Sequence, residues 1–563
     1  MMNFLKNKYP DYILLISISV AFFYGVLSYQ HYAPSLHDFF INSILFILCT
    51  FGLFLFYIFN SSTKVKLNSL LWLFLFIVFL FQPVINNIIY TDGLIFPLAQ
   101  VLLILALSIA ISNIKDKDNF IKWLSLVIII TSFSLFLTQL VHFFNIRSLV
   151  EIMRLPLQTQ RFSGNLFQPN QTAFVLVLGV ISTIFLLDNN KKFLKFLIIF
   201  LLSLGIAFTA SRTGILMLLF SLLVFNLFNN FKENRKIIVL KDFFFGVFGL
   251  VVGIFLYSYF SESRNTIGRV SEISKDVRLN FLHQTVLMIK DNPITGVGWK
   301  NFASSSLQYY DQVGWLGLTD HSHFIFGHII GEFGILGWGL IIYFFIIFIK
   351  NLSYVTDRSS IYTLLVLLIF IIYSCFEYPL WYFRYLMIFA VFFALYDRTS
   401  KTLYIINKGY LVAIPILIIL VTSIYYSFQY RKIAYLNNII FDNKISDRVK
   451  YEKIAQTKFI FGFSYFSDLF LYQSLSIDGF LLKDSIEIGE RLVKYIPMNQ
   501  YLVKQGTLLG LAMQEEQAYY YFKASCSYHR GRECENTKKY LKELSLQYPN
   551  YFNGIYKRID TNF

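Results

Sequence analysis

Charge is scarce in this chain. Asp, Glu, Lys and Arg make up 15% of its 563 residues, against about 25% in an ordinary soluble domain. That scarcity excludes a soluble enzyme. It also excludes a disordered scaffold, which carries more charge and less apolar surface. Cysteine is scarce as well: four residues are too few for a secreted disulfide mini-domain. Nucleotide motifs are missing. There is no Walker loop, and Gly296-Val-Gly298-Trp-Lys-Asn lacks the third glycine of a dinucleotide fingerprint. There is no His-Glu-x-x-His motif either. ATP, NAD and zinc-protease chemistry therefore have no motif support.

Apolar side chains are what the chain has in quantity: 56% of residues are hydrophobic and 63 are Phe. They come in blocks near the length of one bilayer crossing, at 11–29, 39–59, 70–89, 93–112, 121–144, 172–187, 193–209, 212–229, 241–260, 324–349, 361–376, 380–396 and 407–428. Long blocks argue against a transmembrane β-barrel, whose signal is short alternating segments. The reading is an all-α polytopic membrane protein of about 12–13 spans.

The net charge of +16 invites a nucleic-acid reading, but its placement argues for membrane orientation instead. Every second gap is basic: Lys6 and Lys8, Lys64 and Lys66, Lys115, Lys117 and Lys122, Lys191, Lys192 and Lys195. The series continues through Lys232, Arg235, Lys236 and Lys241, then Lys350 and Arg358, then Arg398, Lys401 and Lys408. The gaps 30–38 and 90–92 hold no Lys or Arg. The positive-inside rule then puts the N-terminus in the cytoplasm and the other gaps outside. The first block has no small-x-small cleavage pattern and reads as a retained anchor.

On this count the polar motifs share the outer side. The gap 145–171 holds Arg161-Phe-Ser-Gly-Asn-Leu-Phe-Gln168-Pro169-Asn170-Gln171. Four polar residues entering a span exceed what a helix cap needs; their amides suit a sugar or an acceptor. Arg212 opens a span in Ser211-Arg-Thr-Gly, where a cation is costly unless it meets an anion. Arg161, Arg269 and Arg278 are further outer arginines, and arginine binds phosphates bidentately. Each of these arginines also suits snorkelling to ordinary phospholipid. The long loop 261–323 ends in Asp320-His321-Ser322-His323. A neutral imidazole at an aqueous rim takes a hydroxyl proton near pH 7; paired interfacial histidines are the plainer reading. Glu377-Tyr378-Pro379-Leu380-Trp381-Tyr382 bridges two spans with almost no loop, and Glu377 there suits pairing with a histidine or an arginine.

The remainder, 429–563, reads as a separate soluble domain with helices over 482–496 and 501–527. It resembles paired helices of the tetratricopeptide kind, as a partner-docking domain or as a brace on the membrane part. Cys526 and Cys534 lie close together in it, and in an oxidising compartment they would pair for about 2–3 kcal/mol. A single nearby His529 does not make a zinc site.

Taken in order, the segments from Arg161 to Tyr382, with Asn292-Pro-Ile-Thr-Gly-Val-Gly-Trp-Lys-Asn-Phe302 and Gly331-Glu-Phe-Gly-Ile-Leu-Gly337 between them, resemble the bacterial protein O-oligosaccharyltransferases that glycosylate pilins. That group sits within the O-antigen ligase and polymerase superfamily. The family commonly has His-Asn where this chain has His323-Phe324. The resemblance implies a C-type membrane glycosyltransferase with no cofactor or metal, in the bacterial inner membrane with a periplasmic active site and tail. The implied donor is an oligosaccharide on undecaprenyl diphosphate, and the acceptor a Ser or Thr of a pilin or other periplasmic protein. On that reading His323, or else His321, is the base. Arg212, Arg278 and Arg161 hold the diphosphate, while Gln168, Asn170, Glu377, Tyr378 and Tyr382 position sugar or acceptor. An O-antigen ligase, an O-antigen polymerase and a lipid-linked sugar flippase are the alternatives.

Overall fold

A computed structural model describes residues 2–563 except 35–37, 61, 156–160, 188–190, 233–240, 261–277, 310–311, 314–319, 476–480 and 530. Arg269 therefore lies outside the described residues.

In chain order the helices are α1 (Met2–Leu27), α2 (Phe39–Phe59), α3 (Leu70–Ile85), α4 (Ile95–Ser112), α5 (Lys117–Phe143) and α6 (Arg147–Ile152). Next come α7 (Pro169–Leu186), α8 (Lys192–Phe208), α9 (Arg212–Lys232), α10 (Lys241–Phe260), α11 (Arg278–Asp291) and α12 (Phe302–Ser306). These are followed by α13 (Ile325–Phe333), α14 (Ile335–Leu352), α15 (Arg358–Ser374), α16 (Phe383–Tyr396) and α17 (Gly409–Ile440). The tail adds α18 (Asp447–Ala455), α19 (Ser464–Ser474), α20 (Leu482–Tyr495), α21 (Asn499–Leu511), α22 (Glu515–Tyr528), α23 (Arg532–Gln547) and α24 (Pro549–Asn562). Strands β1 (Thr63–Lys66) and β2 (Thr402–Ile406) form an antiparallel pair.

Among the described residues, nine helices are long and apolar enough to cross a membrane: α1, α2, α3, α4, α5, α7, α10, α14 and α17. Arg212–Leu227 of α9, with α15 and α16, are shorter apolar helices, and α8 has 17 residues. The chain is an all-α polytopic membrane protein.

Three boundaries differ from expectation. The block 324–349 is two helices, because Gly334 at φ 58° breaks the run between α13 and α14. The helix expected at 501–527 is two, α21 and α22, broken next to Met513 at φ 59°. The block 407–428 runs on as the single 32-residue helix α17.

The chain forms two compact units. The first holds Met1–Leu73, Gln100–Ser274 and Tyr343–Phe428; the second holds Phe74–Ala99, Lys275–Ile342 and Gln429–Phe563. The middle of the first is α7, buried along almost its whole length and packed against α5, α8, α9 and α15. Lipid tails are as apolar as leucine, so close backbone approach is what holds such helices together. Gly249 and Gly253 of α10 show it: a Cβ would stand 2.4 Å from the Phe200 carbonyl oxygen and 2.8 Å from that of Leu204 on α8.

The first unit also shows the alternation of gaps. β1 and β2, from two basic gaps, pair through Lys64 with Ile405 and Val65 with Tyr404. Asn113 exchanges hydrogen bonds with the Lys64 backbone, and Asp11 accepts from Lys115 N–H. Asn351 donates to Asp397, and Arg398 pairs with Asp357 at 2.8 Å. Residues from the other gaps meet one another instead, as described below. Each of these contacts joins gaps of one parity.

In the second unit the tail helices α18 to α24 pack each on the next, around a core that includes Leu509, Phe522, Leu541 and Phe552. A disulfide between Cys526 and Cys534 ties α22 to α23. The tail is fixed to the segment before α4. The Asp92 carboxylate accepts from the Gly462 and Ser464 amides and from the Ser464 hydroxyl, and Tyr90 donates to Asp468 at 2.9 Å.

Candidate active site

The polar residues singled out in the sequence assemble as two groups, one in each unit.

In the first unit Asn170 is the hub. Gln168 caps α7 by accepting from the Gln171 amide, and Pro169 takes the first helical position, where its missing N–H costs nothing. This turn delivers Asn170, 9% exposed, into the protein. Its Oδ1 accepts from Arg161 Nη2 and from the Ser211 hydroxyl, both at 2.8 Å. Its Nδ2 donates to Glu377 Oε1 at 2.6 Å. An asparagine suits this position because it donates on one side and accepts on the other. Arg161 Nε also donates to the Thr209 carbonyl at 2.8 Å. Arg161, Asn170, Ser211 and Glu377 are thus joined, and Arg212 opens α9 directly after Ser211. Tyr378 and Tyr382 stack with ring centroids 5.9 Å apart.

Beside this group lies one that the sequence reading missed. Arg384 is fully buried. It donates to Asp38 Oδ2 and Gln171 Oε1, each at 2.9 Å, and to the Gly25 carbonyl at 3.1 Å. Its guanidinium lies 4.7 Å from the Tyr382 ring centroid. His31 bridges Asp38 and the Asn165 carbonyl, with 2.9 Å on either side. Burial alone would raise the Asp38 pKa. The His31 hydrogen bond and the Arg384 charge more than reverse this and hold the carboxyl well below the usual range. The available signal was an arginine inside an apolar block, which demands a partner.

In the second unit the segment after α11 wraps the break between α13 and α14. Val297 N–H donates to the Gly331 carbonyl at 2.8 Å, Gly298 N–H to that of Glu332 at 2.9 Å, and Ile335 N–H to that of Ile294 at 3.0 Å. The backbones are so close that a Cβ on Gly296 would stand 2.3 Å from the Glu332 oxygen, and one on Gly334 2.2 Å from the Ile294 oxygen. Both glycines have positive φ, 67° and 58°. Gly296 and Gly334 are therefore required by this backbone geometry.

That turn presents the histidine loop. His321 Nδ1 lies 2.7 Å from Asp320 Oδ1. An ionised carboxylate only accepts, so Nδ1 carries a hydrogen toward it, and in the neutral ring Nε2 holds the lone pair. The Ser322 hydroxyl donates to the Phe324 carbonyl at 2.7 Å and accepts from the Phe324 amide, which closes the loop on itself. His323 has φ 55°, an uncommon state for a residue with a Cβ. Its ring stacks on Phe281 at 5.5 Å and lies 4.2 Å from that of His321. Arg278 begins α11 one turn before Phe281, on the same face. His328 is buried and sits 3.4 Å from Glu332 Oε2. Among the described residues, no group of three or more His, Cys, Asp or Glu is arranged to hold a metal ion.

No curated protein matches the chain. Residues 196–342 match the family model described as O-Antigen ligase. The match takes in Arg212, Arg278, Lys300, the Asp320–His323 loop and Glu332, and it stops short of Arg161, Asn170 and Glu377 on either side. Members of that family are glycosyltransferase-like ligases and polymerases. The match over residues 196–342 supports a transferase of lipid-linked glycans similar to the O-antigen ligases and polymerases.

Proposed function

We propose that this protein transfers a preassembled oligosaccharide from undecaprenyl diphosphate to a Ser or Thr hydroxyl of a pilin or other periplasmic protein. The observation that carries the reaction class is the Asp320–His321 pair inside the matched domain. Of the two histidines, His321 is the better base, since a carboxylate orients it and leaves Nε2 to accept. The acceptor hydroxyl gives its proton to Nε2, and its oxygen bonds to the anomeric carbon. The bond from that carbon to the diphosphate oxygen breaks, and the electron pair leaves with the lipid diphosphate. Arg212 and Arg278 stabilise the charge of that leaving group, with Arg161 as a further cation. Gln168, Asn170, Glu377, Tyr378 and Tyr382 position sugar or acceptor. The basic ends of the helices face the cytoplasm, and the tail is periplasmic. The protein acceptor is supported by Gln168-Pro169-Asn170, Glu377-Tyr-Pro-Leu380 and the soluble tail, which together resemble the protein-glycosylating branch.

A ligase or polymerase acting on lipopolysaccharide is the second reading, favoured by the description of the matched family. Intact-mass analysis of periplasmic and pilus proteins separates the two, with wild-type enzyme and with His321→Ala, beside a lipopolysaccharide gel. Loss of an oligosaccharide mass from a protein, with an unchanged ladder, supports protein glycosylation. A ladder collapsed to bare core, with protein masses unmoved, supports the second reading. If stably inserted His321→Ala changes neither while His323→Ala does, His323 is the base.

A further inference from the structure

The Asp320 carboxylate is shared. Oδ1 takes His321 Nδ1–H at 2.7 Å, and Oδ2 takes the Lys300 ammonium at 3.2 Å. Lys300 is itself pinned. Its amide donates to Glu332 Oε1 at 2.9 Å, and its backbone is held at φ 64°, a strained state for a side chain of this kind. Burial alone would lower the Lys300 pKa, but the facing charges of Asp320 and Glu332 raise it above the ordinary lysine value. The ammonium therefore stays charged. Tyr495, at the end of tail helix α20, interacts electrostatically with Lys300, Asp320 and Glu332. Its ring is wedged between Tyr90 at 5.0 Å and Tyr465 at 4.9 Å.

We propose that Lys300 is a positioning residue for His321. The proposal rests on the reading of His321 as the base. Holding the second carboxylate oxygen fixes the plane of Asp320 and so the direction of the imidazole. The Lys300 charge also offsets that of Asp320. Without it the carboxylate stabilises the imidazolium more strongly, and His321 keeps a proton that it must lose before it can accept one. Among the described residues, Asp320 and His323 are titratable groups that face His321. Lys300, Glu332 and Tyr495 act on it through Asp320.

The test reads His321 directly, without relying on transfer. Diethyl pyrocarbonate acylates neutral imidazole, and its rate at His321, followed against pH by site-resolved mass spectrometry of the full-length protein, gives the titration midpoint. Lys300→Met is expected to move that midpoint to higher pH, Lys300→Arg to return it close to wild type, and Asp320→Asn to move it down. Alongside, Lys300→Met is expected to lower kcat by about 10–100-fold with little change in donor KM, as for a misaligned catalytic group. A purely structural lysine would lower activity at all pH values and leave the midpoint alone. If Lys300→Met does not insert stably, Lys300→Gln carries the same test. An unmoved midpoint in a folded Lys300 variant, or in Asp320→Asn, overturns the proposal. Shifted midpoints in a protein that transfers no glycan would leave the positioning intact and remove the proposed function instead.

Discussion

Arg384 and Asp38 form an ion pair of 2.9 Å across 346 positions of sequence. The arginine side chain is fully buried and the aspartate 13% exposed. Removing one partner of such a pair leaves an uncompensated charge and costs about 3–5 kcal/mol. Arg384→Met and Asp38→Asn should each lower the Tm of the detergent-solubilised protein markedly. The double variant should lose clearly less than the sum, and the measurement is a double-mutant cycle on thermal unfolding. Additive losses would mean that the two side chains act independently.

Asn170 is predicted to tolerate no change of hydrogen-bonding type. Asn170→Asp removes the donor to Glu377 and sets two carboxylates 2.6 Å apart. Asn170→Ala removes the acceptor that Arg161 and Ser211 share. Both variants should insert normally and lose transfer by about tenfold or more, each buried charge-assisted bond contributing about 1.5–3 kcal/mol. Glycan transfer in cells, normalised to membrane-inserted protein, checks this.

How far the site could be read in advance follows from these same residues. Asn170, Glu377 and Arg161 stood out because polar side chains at the rim of an apolar block are conspicuous. Asp38 and His31 did not, because the gap 30–38 was read for the lysines and arginines it lacks. The spans were legible from length and apolarity, which is all that a bilayer requires. The break at Gly334 was hidden, since Phe333-Gly-Ile-Leu-Gly337 is apolar throughout and hydropathy does not register a dihedral angle. The preference proposed for His321 over His323 rests on a distance to Asp320 that chain order does not contain.

Gly296→Ala and Gly334→Ala should each disable the histidine loop without touching it. A Cβ at either position would strike backbone rather than a movable side-chain end, in a conformation that L-residues avoid. Loss of activity is expected in both. Limited proteolysis should show new cleavage within 292–302, and the helices of the first unit should remain protected.

His529 gives the tail a pH dependence. Burial lowers its pKa, and the Pro497 carbonyl, 3.2 Å from Nε2, only partly restores it. An unfolded tail has an ordinary histidine, near pKa 6.5, so below that pH the unfolded state binds more protons than the folded one. The contribution is complete above about pH 6.5 and is lost as pH falls from there through the lowered folded-state value. Hydrogen-exchange protection over Glu515–Gln547, corrected for the intrinsic rate at each pH, should fall between neutral and mildly acidic pH in the full-length protein. His529→Gln should flatten that change.

The pairing of Thr63–Lys66 with Thr402–Ile406 sets an order of events during synthesis. Val65 is made early, and its partner Tyr404 only after most of the other membrane helices. At about 5–20 residues per second, the β1 edge waits on the order of tens of seconds with its ladder groups unpaired. Contacts of such sequence separation form late, because the loop must be closed before they reward it. The first helices therefore have to remain in the bilayer on the strength of their apolarity alone, until Thr402–Ile406 joins the early part of the first unit to the late one. A chain stopped before that ribbon would keep its early helices and leave the edge of β1 open to any passing strand.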